Sequence, residues 1–340
     1  MYHYNFVFFS TPDDKYKIDK SKYNTICALE LEGSTDCELV TYPLDSKPKW
    51  LRYLFALHNS AKIAKKVKLP FKQFWYPYYF KGEFKYNKPL CVVILNHNLP
   101  IDYLSYLKKK YPDCKLVMLH RDFLRVSQRA NPDLPQNPIL DLEMTYDEGE
   151  SAKYGFPHFS EFESKVDIPV NDKFESDVFF AGRAKDRLPD LMDAYYKLTK
   201  AGLKVYYFLT GVPQDQQVAL PGIEYAQRNM TYREMLYHTV NTRCVLETTQ
   251  KGQKGYTSRF LEAVMYGKKI ISNSQYLKQS KFYSPDKVQI LDCMSDIDID
   301  FINEGNGFVD YNYQGEFSPF RVLDRIDEEL VKKFGKPVIK

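Results

Sequence analysis

Three side chains that can bind an anion and a diol stand together in the segment 254–274, KGYTSRFLEAVMYGKKIISNS. Ser258 and Glu262 are four residues apart, so a helix would place them on one face, with Arg259 beside them. A carboxylate can accept two hydrogen bonds from the vicinal hydroxyls of a ribose, whereas Ser258 and Arg259 can donate to phosphate oxygens. The segment therefore predicts a helix start that contacts a ribose and a phosphate.

Helix capping is the alternative explanation of the same residues. Thr257 or Ser258 would cap the helix and Gly267 would end it. Glu262 would then be a solvated acid of the first turn. Capping explains Gly267 but not Arg259, because a cation is misplaced at the positive end of a helix unless an anion binds there.

A second cluster lies in DVFFAGRAKDRLPDL, residues 177–191. An apolar strand that ends in Gly182 and soon opens a helix delivers backbone N–H groups and a positive helix end to one point. Arg183, Lys185 and Arg187 add cations there. The combination suits a diphosphate; the alternative is an ordinary strand turn with solvated basic side chains.

Both clusters require a framework of strands and helices, and the hydrophobic pattern supplies two series of them. The first series has strand-like runs at 4–9, 25–31, 90–95, 115–120 and 141–146. The second has strand-like runs at 177–182, 204–210, 243–248 and 268–273, with helical patterns at 187–201 and 231–240. Alternation of strands with helices predicts parallel sheets covered by helices, hence two doubly wound α/β units.

The chain length and the pattern agree on two domains. At 340 residues the chain exceeds what one core usually organises. The polar stretch 160–175 separates the two series, so we predict domains at 1–168 and 169–317. In the tail 318–340, Val322, Ile326 and Leu330 share one face, which predicts a terminal amphipathic helix that crosses back to the first domain.

The composition predicts a folded protein, and the cysteine spacing and hydrophobic runs predict that it stays on one side of the membrane. Hydrophobic residues make up 44% of the chain and charged residues 27%, which excludes a disordered chain. The six cysteines show no CxxC spacing, so we expect reduced core residues of a cytosolic protein. The first 15 residues lack the basic region of a signal peptide, and no run approaches the roughly 20 apolar residues of a membrane span.

The motifs FFAGRAKDR and YTSRFLEAVMYGKKIISNS resemble the nucleotide-sugar half of GT-B glycosyltransferases, especially bacterial capsule and lipopolysaccharide enzymes of the spore-maturation glycosyltransferase-like group. The resemblance covers most of residues 90–275 and includes DLEMTYDEGESAKYGF (141–156). It implies two Rossmann-like domains that face each other across a cleft, with the donor in the C-terminal domain. It also implies that Glu262 holds the ribose, that Ser258, Arg259 and Arg183 hold the diphosphate beside Gly182 and Lys185, and that the nucleobase lies at Tyr225, Ala226 and Gln227.

One position departs from the family pattern. Many retaining GT-B enzymes carry a second acid eight residues before the ribose glutamate, and Lys254 stands there in this sequence. A basic residue cannot replace a carboxylate, so the stereochemistry of the reaction stays open.

A catalytic base is expected in the first domain, at the sheet edge where open sheets bind ligands. His97, Asp102, His120 and Asp122 follow the strands LCVVIL and KLVMLH. Asp122 is the first candidate, since a carboxylate can deprotonate an acceptor hydroxyl, and His97 is the second. A loop hydrogen bond or a helix cap is the alternative role for each.

No cofactor or metal is expected. The segment DIDID (296–300) resembles the Asp-x-Asp pair with which the GT-A fold holds a divalent ion, but a turn with a helix cap is the favoured interpretation. In GT-B enzymes, protein cations and helix ends replace the metal.

Residues 47–88 contain eleven Lys or Arg against one acid, Glu83, and both tryptophans of the chain. Basic residues interleaved with aromatic residues predict contact with an anionic membrane, where lipid-linked acceptors reside. A nucleic-acid partner is not expected, because no RNA-binding motif is present. A solvated helix followed by an aromatic core strand is the alternative.

These observations together predict a glycosyltransferase that is cytoplasmic and peripheral on the inner face of the cell membrane. It would move a sugar from a nucleotide-diphosphate donor to a lipid-linked cell-surface glycan. A nucleotide-sugar epimerase on the same fold and a non-catalytic glycan- or nucleotide-binding protein are the alternatives.

Overall fold

The computed structural model describes residues 2–9, 27–41, 44, 47–58, 67, 69–95, 99–130, 132–228, 230–249 and 253–337. Two compact units divide the chain. Unit 1 comprises Met1–Ser164 together with Ser318–Lys340, and unit 2 comprises Lys165–Phe317. Each unit is built around its own parallel sheet.

Unit 1 contains a sheet in the order β2-β1-β3-β4-β5, in which every pairing is parallel. The strands are β1 Asn5–Phe9, β2 Cys37–Val40, β3 Leu90–Leu95, β4 Lys115–His120 and β5 Leu142–Thr145. Its helices are α1 Lys49–His58, α2 Ile101–Lys110, α3 Leu124–Ala130 and α4 Glu148–Tyr154, and the α-helix Pro319–Phe334, described below as α9, closes the unit. Short 3-10 helices occupy Leu29–Leu31 and Lys72–Tyr78.

The central strands of unit 1 are apolar on both faces, as is typical of a parallel sheet covered on both sides. Every residue of β1 is buried, as a strand covered on both sides requires. The C-terminal helix covers one face: Val322, Ile326 and Leu330 pack in the same core as Phe6 and Phe8 of β1. The unit therefore depends on residues from both ends of the chain.

Unit 2 contains a sheet in the order β11-β10-β9-β6-β7-β8, again parallel throughout. The strands are β6 Ser176–Arg183, β7 Val205–Thr210, β8 Ile223–Ala226, β9 Thr242–Glu247, β10 Lys269–Ser272 and β11 Val288–Ile290. The helices are α5 Leu188–Lys200, α6 Tyr232–Val240, α7 Ser258–Met265 and α8 Ile299–Asn303, with α9 Pro319–Phe334 following in unit 1. Short 3-10 helices occupy Lys185–Arg187, Gln214–Gln216, Gln275–Gln279 and Met294–Asp296.

Most of the predicted strands are confirmed within one or two residues, but the strand expected at 25–31 is wrong. Its described part holds a turn and the 3-10 helix Leu29–Leu31. Cys27, Ala28 and Leu31 are buried as a strand would bury them, so the apolar run reflects core packing without strand pairing. The strand that pairs with β1 at the sheet edge is β2, which the sequence pattern does not predict. The short edge strands β8 and β11 are likewise not predicted.

Five of the six cysteines are buried and free, whereas Cys293 is exposed, so the expectation of six core cysteines is wrong for that residue. Among the described helices, none combines the length and apolarity needed to cross a bilayer.

Candidate functional site

The end of β6 and the start of α7 meet in unit 2. The guanidinium of Arg259 donates a hydrogen bond to the main-chain oxygen of Ala181 and lies 5.0 Å from the centroid of the Phe180 ring. A Cβ atom on Gly182 would come within 2.5 Å of Arg259 Nη2. Glycine at this position therefore leaves the space that the guanidinium fills.

A second arginine, Arg187, reaches the same edge from the turn before α5. Its Nη1 donates to the Thr248 carbonyl at 2.5 Å, and its Nη2 donates to the Arg183 carbonyl. Burial lowers the pKa of Arg187 to about 10, and the positive charge of Arg259 acts in the same direction. The guanidinium groups of Arg187 and Arg259 both lie over the Phe180 ring, at 5.9 and 5.0 Å from its centroid, and two neighbouring cations favour an anion as a third partner.

Glu247 supplies a buried carboxylate beside these arginines. It ends β9 and accepts hydrogen bonds from the hydroxyls of Thr257 and Ser272. Burial raises the pKa of the Glu247 carboxyl, while the two hydroxyls and the charges of Arg259 and Arg187 act in the opposite direction. Glu247 thus joins β9, β10 and the first turn of α7 into one arrangement.

Capping accounts for both ends of α7. The Thr257 hydroxyl accepts from the Phe260 N–H at 3.3 Å. Gly267 has φ +63° after the last turn, and the Lys268 N–H bonds to the Ala263 carbonyl at 2.8 Å, which forms a Schellman ending. Thr257 and Gly267 therefore cap α7, as the alternative explanation predicts, and this capping coexists with the contact between Arg259 and Ala181.

Glu262 lies on α7 with no exposed surface. The alternative interpretation as a solvated first-turn acid is wrong, because the residue sits one turn inside the helix and is covered. A ribose would reach this carboxylate only if neighbouring groups moved apart. Ser258, the first residue of α7, is half-buried.

The remaining residues predicted for the donor lie along the same carboxyl edge of the sheet. Arg183 at the end of β6 is exposed and is in register with Thr210 of β7, which is in register with Ala226 of β8. Parallel strands lie about 4.8 Å apart, so Ala226 stands about 10 Å along the edge from Arg183.

The predicted nucleobase residues differ in exposure. Tyr225 is half-buried, and its hydroxyl accepts from the Val218 N–H at 3.2 Å, whereas Gln227 is exposed. Lys185 belongs to the 3-10 helix before α5, and its side chain lies outside the described part of the structure.

The candidates for the catalytic base in unit 1 differ in burial and in hydrogen bonding. His120 is fully buried, with its Nε2 2.9 Å from Glu143 Oε2 and its ring stacked on Phe156. Asp102 accepts a hydrogen bond from the Tyr76 hydroxyl. Both residues therefore serve structural hydrogen bonds.

Asp122 is exposed in the turn that follows β4, at the carboxyl edge of the unit 1 sheet. His97 lies outside the described residues. Asp122 thus stays the first candidate for a base.

The segment DIDID forms a turn and a cap, as predicted. Asp298 precedes α8 and accepts from the Asp300 N–H at 3.0 Å. Within the described ranges, no group of three or more His, Cys, Asp or Glu residues is placed to hold a metal ion.

Two residues of this site were not predicted as ligands or supports. The sequence predicts Arg187 only as one of three cations near the Gly182 turn, and it assigns no role to Glu247. The signal for Glu247 was an acid at the end of the apolar run RCVLE, a position that faces the carboxyl edge of a parallel sheet.

Comparison with solved structures defines the class of fold. An alpha-glucosyltransferase in complex with UDP and a 13-mer DNA containing an HMU base aligns with a TM-score of 0.51 and 11% identity, over 96% of this chain and 95% of that one. An alpha-glucosyltransferase in complex with UDP-glucose and DNA containing an abasic site gives a TM-score of 0.51 and 11% identity, over 95% of this chain and 98% of that one. The chain has the two-domain, Rossmann-like GT-B fold.

A putative UDP-N-acetylglucosamine 2-epimerase from Listeria monocytogenes also aligns, with a TM-score of 0.46 and 9% identity, over 99% of both chains. No protein-family model and no curated protein matches the sequence. At such low identity the comparisons establish the fold, and activity has to be argued from the site.

Proposed function

We propose that this protein is a glycosyltransferase that uses a nucleotide-diphosphate sugar. The observation that carries the proposal is the meeting of Arg259 and Arg187 at the carboxyl edge of the unit 2 sheet, beside the Gly182 turn. Open parallel sheets bind ligands at this edge. Two fixed guanidinium groups match the charge of a diphosphate and can stabilise it as it departs.

The other donor contacts follow from the same edge. Ser258 and Arg183 complete the diphosphate site, and Tyr225 and Gln227 border the nucleobase. Glu262 holds the ribose after the groups that cover its carboxylate move apart. Support for Arg183 and Tyr225 comes from their places on the strands β6 and β8, at either side of β7. The solved glucosyltransferases of the same fold carry UDP or UDP-glucose.

Unit 1 supplies the acceptor side of the reaction. Asp122 takes the proton from the acceptor hydroxyl as that oxygen attacks the anomeric carbon, and the nucleoside diphosphate leaves with the bonding electrons. Arginine charges stabilise the leaving group, so the reaction needs no metal ion. The acceptor is a lipid-linked cell-surface glycan of the capsule or lipopolysaccharide type, reached from the cytoplasmic side of the membrane.

Donor binding is tested by thermal shift with UDP, GDP, CMP and dTDP sugars, because a ligand that binds only the folded state raises the melting temperature. One nucleotide class should raise it, and Arg259→Gln should reduce the rise strongly at the same ligand concentration. Arg243→Gln is the matched control, since Arg243 is the second residue of β9, at the opposite edge of the sheet, and pairs with Asp177 at 3.2 Å. A shift retained in Arg259→Gln, or no shift with any nucleotide sugar, would refute the proposed donor site.

Activity is tested separately from binding. Release of free nucleoside diphosphate that depends on an added glycan extract indicates transfer. Conversion of the donor sugar without any acceptor would identify an epimerase, and donor binding without either reaction would identify a binding protein.

A further inference from the structure

Helix α1 in unit 1 carries an apolar stripe that faces solvent. Trp50, Tyr53, Leu54 and Leu57 recur at positions i, i+3, i+4 and i+7, the spacing that normally marks the buried face of a helix. Their exposed fractions are 64%, 65%, 45% and 45%. The core-facing side of the helix is a different one, formed by Phe55 and Ala56, which are buried.

The 3-10 helix Lys72–Tyr78 packs against α1, and with Phe71 it carries two more exposed rings. Phe71 and Phe74 are 59% and 70% exposed, and their ring centroids lie 5.9 Å apart. Trp75 fixes the segment against α1, because its Nε1 donates to His58 Nδ1 at 2.9 Å and its ring lies 5.5 Å from Phe55. We define the outer apolar surface as the two sets together: Trp50, Tyr53, Leu54, Leu57, Phe71 and Phe74.

Basic residues outnumber acidic ones in the segment that carries the outer apolar surface, and one acid from outside it, Glu38 of β2, accepts from the N–H groups of Lys81 and Gly82 at 2.6 and 2.8 Å. In the described parts of residues 47–86 the only acid is Glu83, and the cations are Lys47, Lys49, Arg52, Lys72, Lys81 and Lys85. Exposed aromatic and aliphatic side chains in a basic setting match the interface of a bilayer, where rings sit at the headgroups and anionic lipids attract the cations.

The aliphatic members distinguish a bilayer from nucleic acid. Single-stranded nucleic acid uses aromatic rings as stacking platforms along a groove. Leu54 and Leu57 offer no such platform, but they fit the apolar boundary beneath lipid headgroups. A soluble protein rarely leaves an apolar stripe of this spacing uncovered unless it is an interaction surface.

We propose that the outer apolar surface is the element through which this protein docks on an anionic lipid bilayer. The 3-10 helix that carries Phe74 reaches the carboxyl edge of the unit 1 sheet, because its Tyr76 donates to Asp102 in the first turn of α2, the helix that follows β3. Docking would bring that edge to the membrane. The inference that docking gives access to a lipid-linked acceptor rests on the proposed function, whereas the inference of docking itself does not.

The test is vesicle flotation with the full chain. Vesicles of phosphatidylethanolamine and phosphatidylglycerol should carry the protein upward, and phosphatidylcholine vesicles should carry much less. The double variant W50S/F74S should reduce the bound fraction about tenfold or more. Both side chains are largely exposed, so the fold should survive, and the melting temperature verifies it.

The matched control is the double variant V170S/Y196S, which removes two apolar side chains of unit 2 that are 57% and 51% exposed. It should float like the parent. Equal loss in both double variants, or a parent that stays in solution with anionic vesicles at low salt, would overturn the proposal.

Two further measurements distinguish membrane docking from binding of nucleic acid and from self-association. A single-stranded DNA oligonucleotide bound more tightly than the vesicles, with loss in W50S/F74S, would make this a nucleic-acid surface. Dimerisation lost in W50S/F74S and unaffected by vesicles would make it a self-association surface. Donor binding is measured on the same variants, so failed docking with intact donor binding overturns this inference alone.

Discussion

Arg259 and Ala181 are joined by a hydrogen bond from the guanidinium to the main-chain oxygen, which links the first turn of α7 to the end of β6. The two residues are 78 positions apart in the chain. The strand end and the helix start therefore form one surface at the carboxyl edge of the unit 2 sheet, and this surface is the diphosphate site of the proposed function.

Arg259→Gln should weaken binding of the nucleotide-sugar donor by about 10- to 100-fold, because a charge-assisted hydrogen bond contributes about 1.5–3 kcal/mol. Gly182→Ala should also weaken binding, since its Cβ would meet Arg259 Nη2 at 2.5 Å and displace the guanidinium. Isothermal titration calorimetry measures both effects.

A double-mutant cycle shows whether Gly182 acts through Arg259. In the Arg259→Gln background, Gly182→Ala should have little further effect on donor affinity. Additive losses would show that the glycine contributes to binding by another route.

Glu247→Ala should lower the free energy of unfolding by about 2–4 kcal/mol, because it leaves the hydroxyls of Thr257 and Ser272 without their buried acceptor. Urea denaturation measures the loss. Glu224→Ala is the control, since Glu224 is exposed on β8, and it should change stability by less than about 1 kcal/mol. Similar losses in the two variants would contradict a structural role for the Glu247 carboxylate.

Asp122→Ala should slow sugar transfer by about 10²- to 10⁴-fold, the usual contribution of a general base, while donor affinity stays unchanged. Asp133→Ala is the control, because Asp133 is another exposed acid of unit 1. Single-turnover rates and calorimetry separate the two quantities. An unchanged rate in Asp122→Ala would remove this residue from the reaction.

The two parallel sheets were predictable from the sequence because strands covered on both faces are continuous apolar runs. Edge strands give a weaker signal: β8 reads IEYA, with Glu224 exposed, and β11 has only three residues. The run at 25–31 misled because burial of Cys27 and Leu31 needs no strand pairing.

For the site, the Gly182 turn and the start of α7 were predictable together, since parallel strands place such turns at one edge. Glu247 was not predictable as their support. Its role depends on the hydroxyls of Thr257 and Ser272, which are 10 and 25 residues away in the chain. Only the folded structure shows that both donate to the Glu247 carboxylate.

Lys268, which directly precedes β10, and Lys269, which begins it, should respond in opposite ways to replacement by methionine. Lys268 is fully buried, lies 3.8 Å from the Phe308 ring centroid and has no hydrogen-bond acceptor among the described residues. Burial lowers its pKa from 10.5 to about 7. Lys269 instead donates to the carbonyls of Phe301 at 2.6 Å and Glu304 at 3.0 Å.

Lys268→Met should stabilise the protein by on the order of 2–4 kcal/mol at pH 6, because the parent buries there a charge that contacts aromatic rings but has no hydrogen-bond acceptor among the described residues. Between pH 7 and 10.5 the unfolded chain binds more protons at Lys268 than the folded chain, so the parent gains stability as pH rises. The advantage of Lys268→Met should therefore shrink toward pH 10.

Lys269→Met should destabilise by about 1–3 kcal/mol, since it leaves two carbonyls without a donor. Urea denaturation at pH 6 and pH 9 measures both variants. If both lysine variants lost stability, or if the effect of Lys268→Met were the same at the two pH values, Lys268 would not be the buried, unpartnered amine whose charge the fold disfavours.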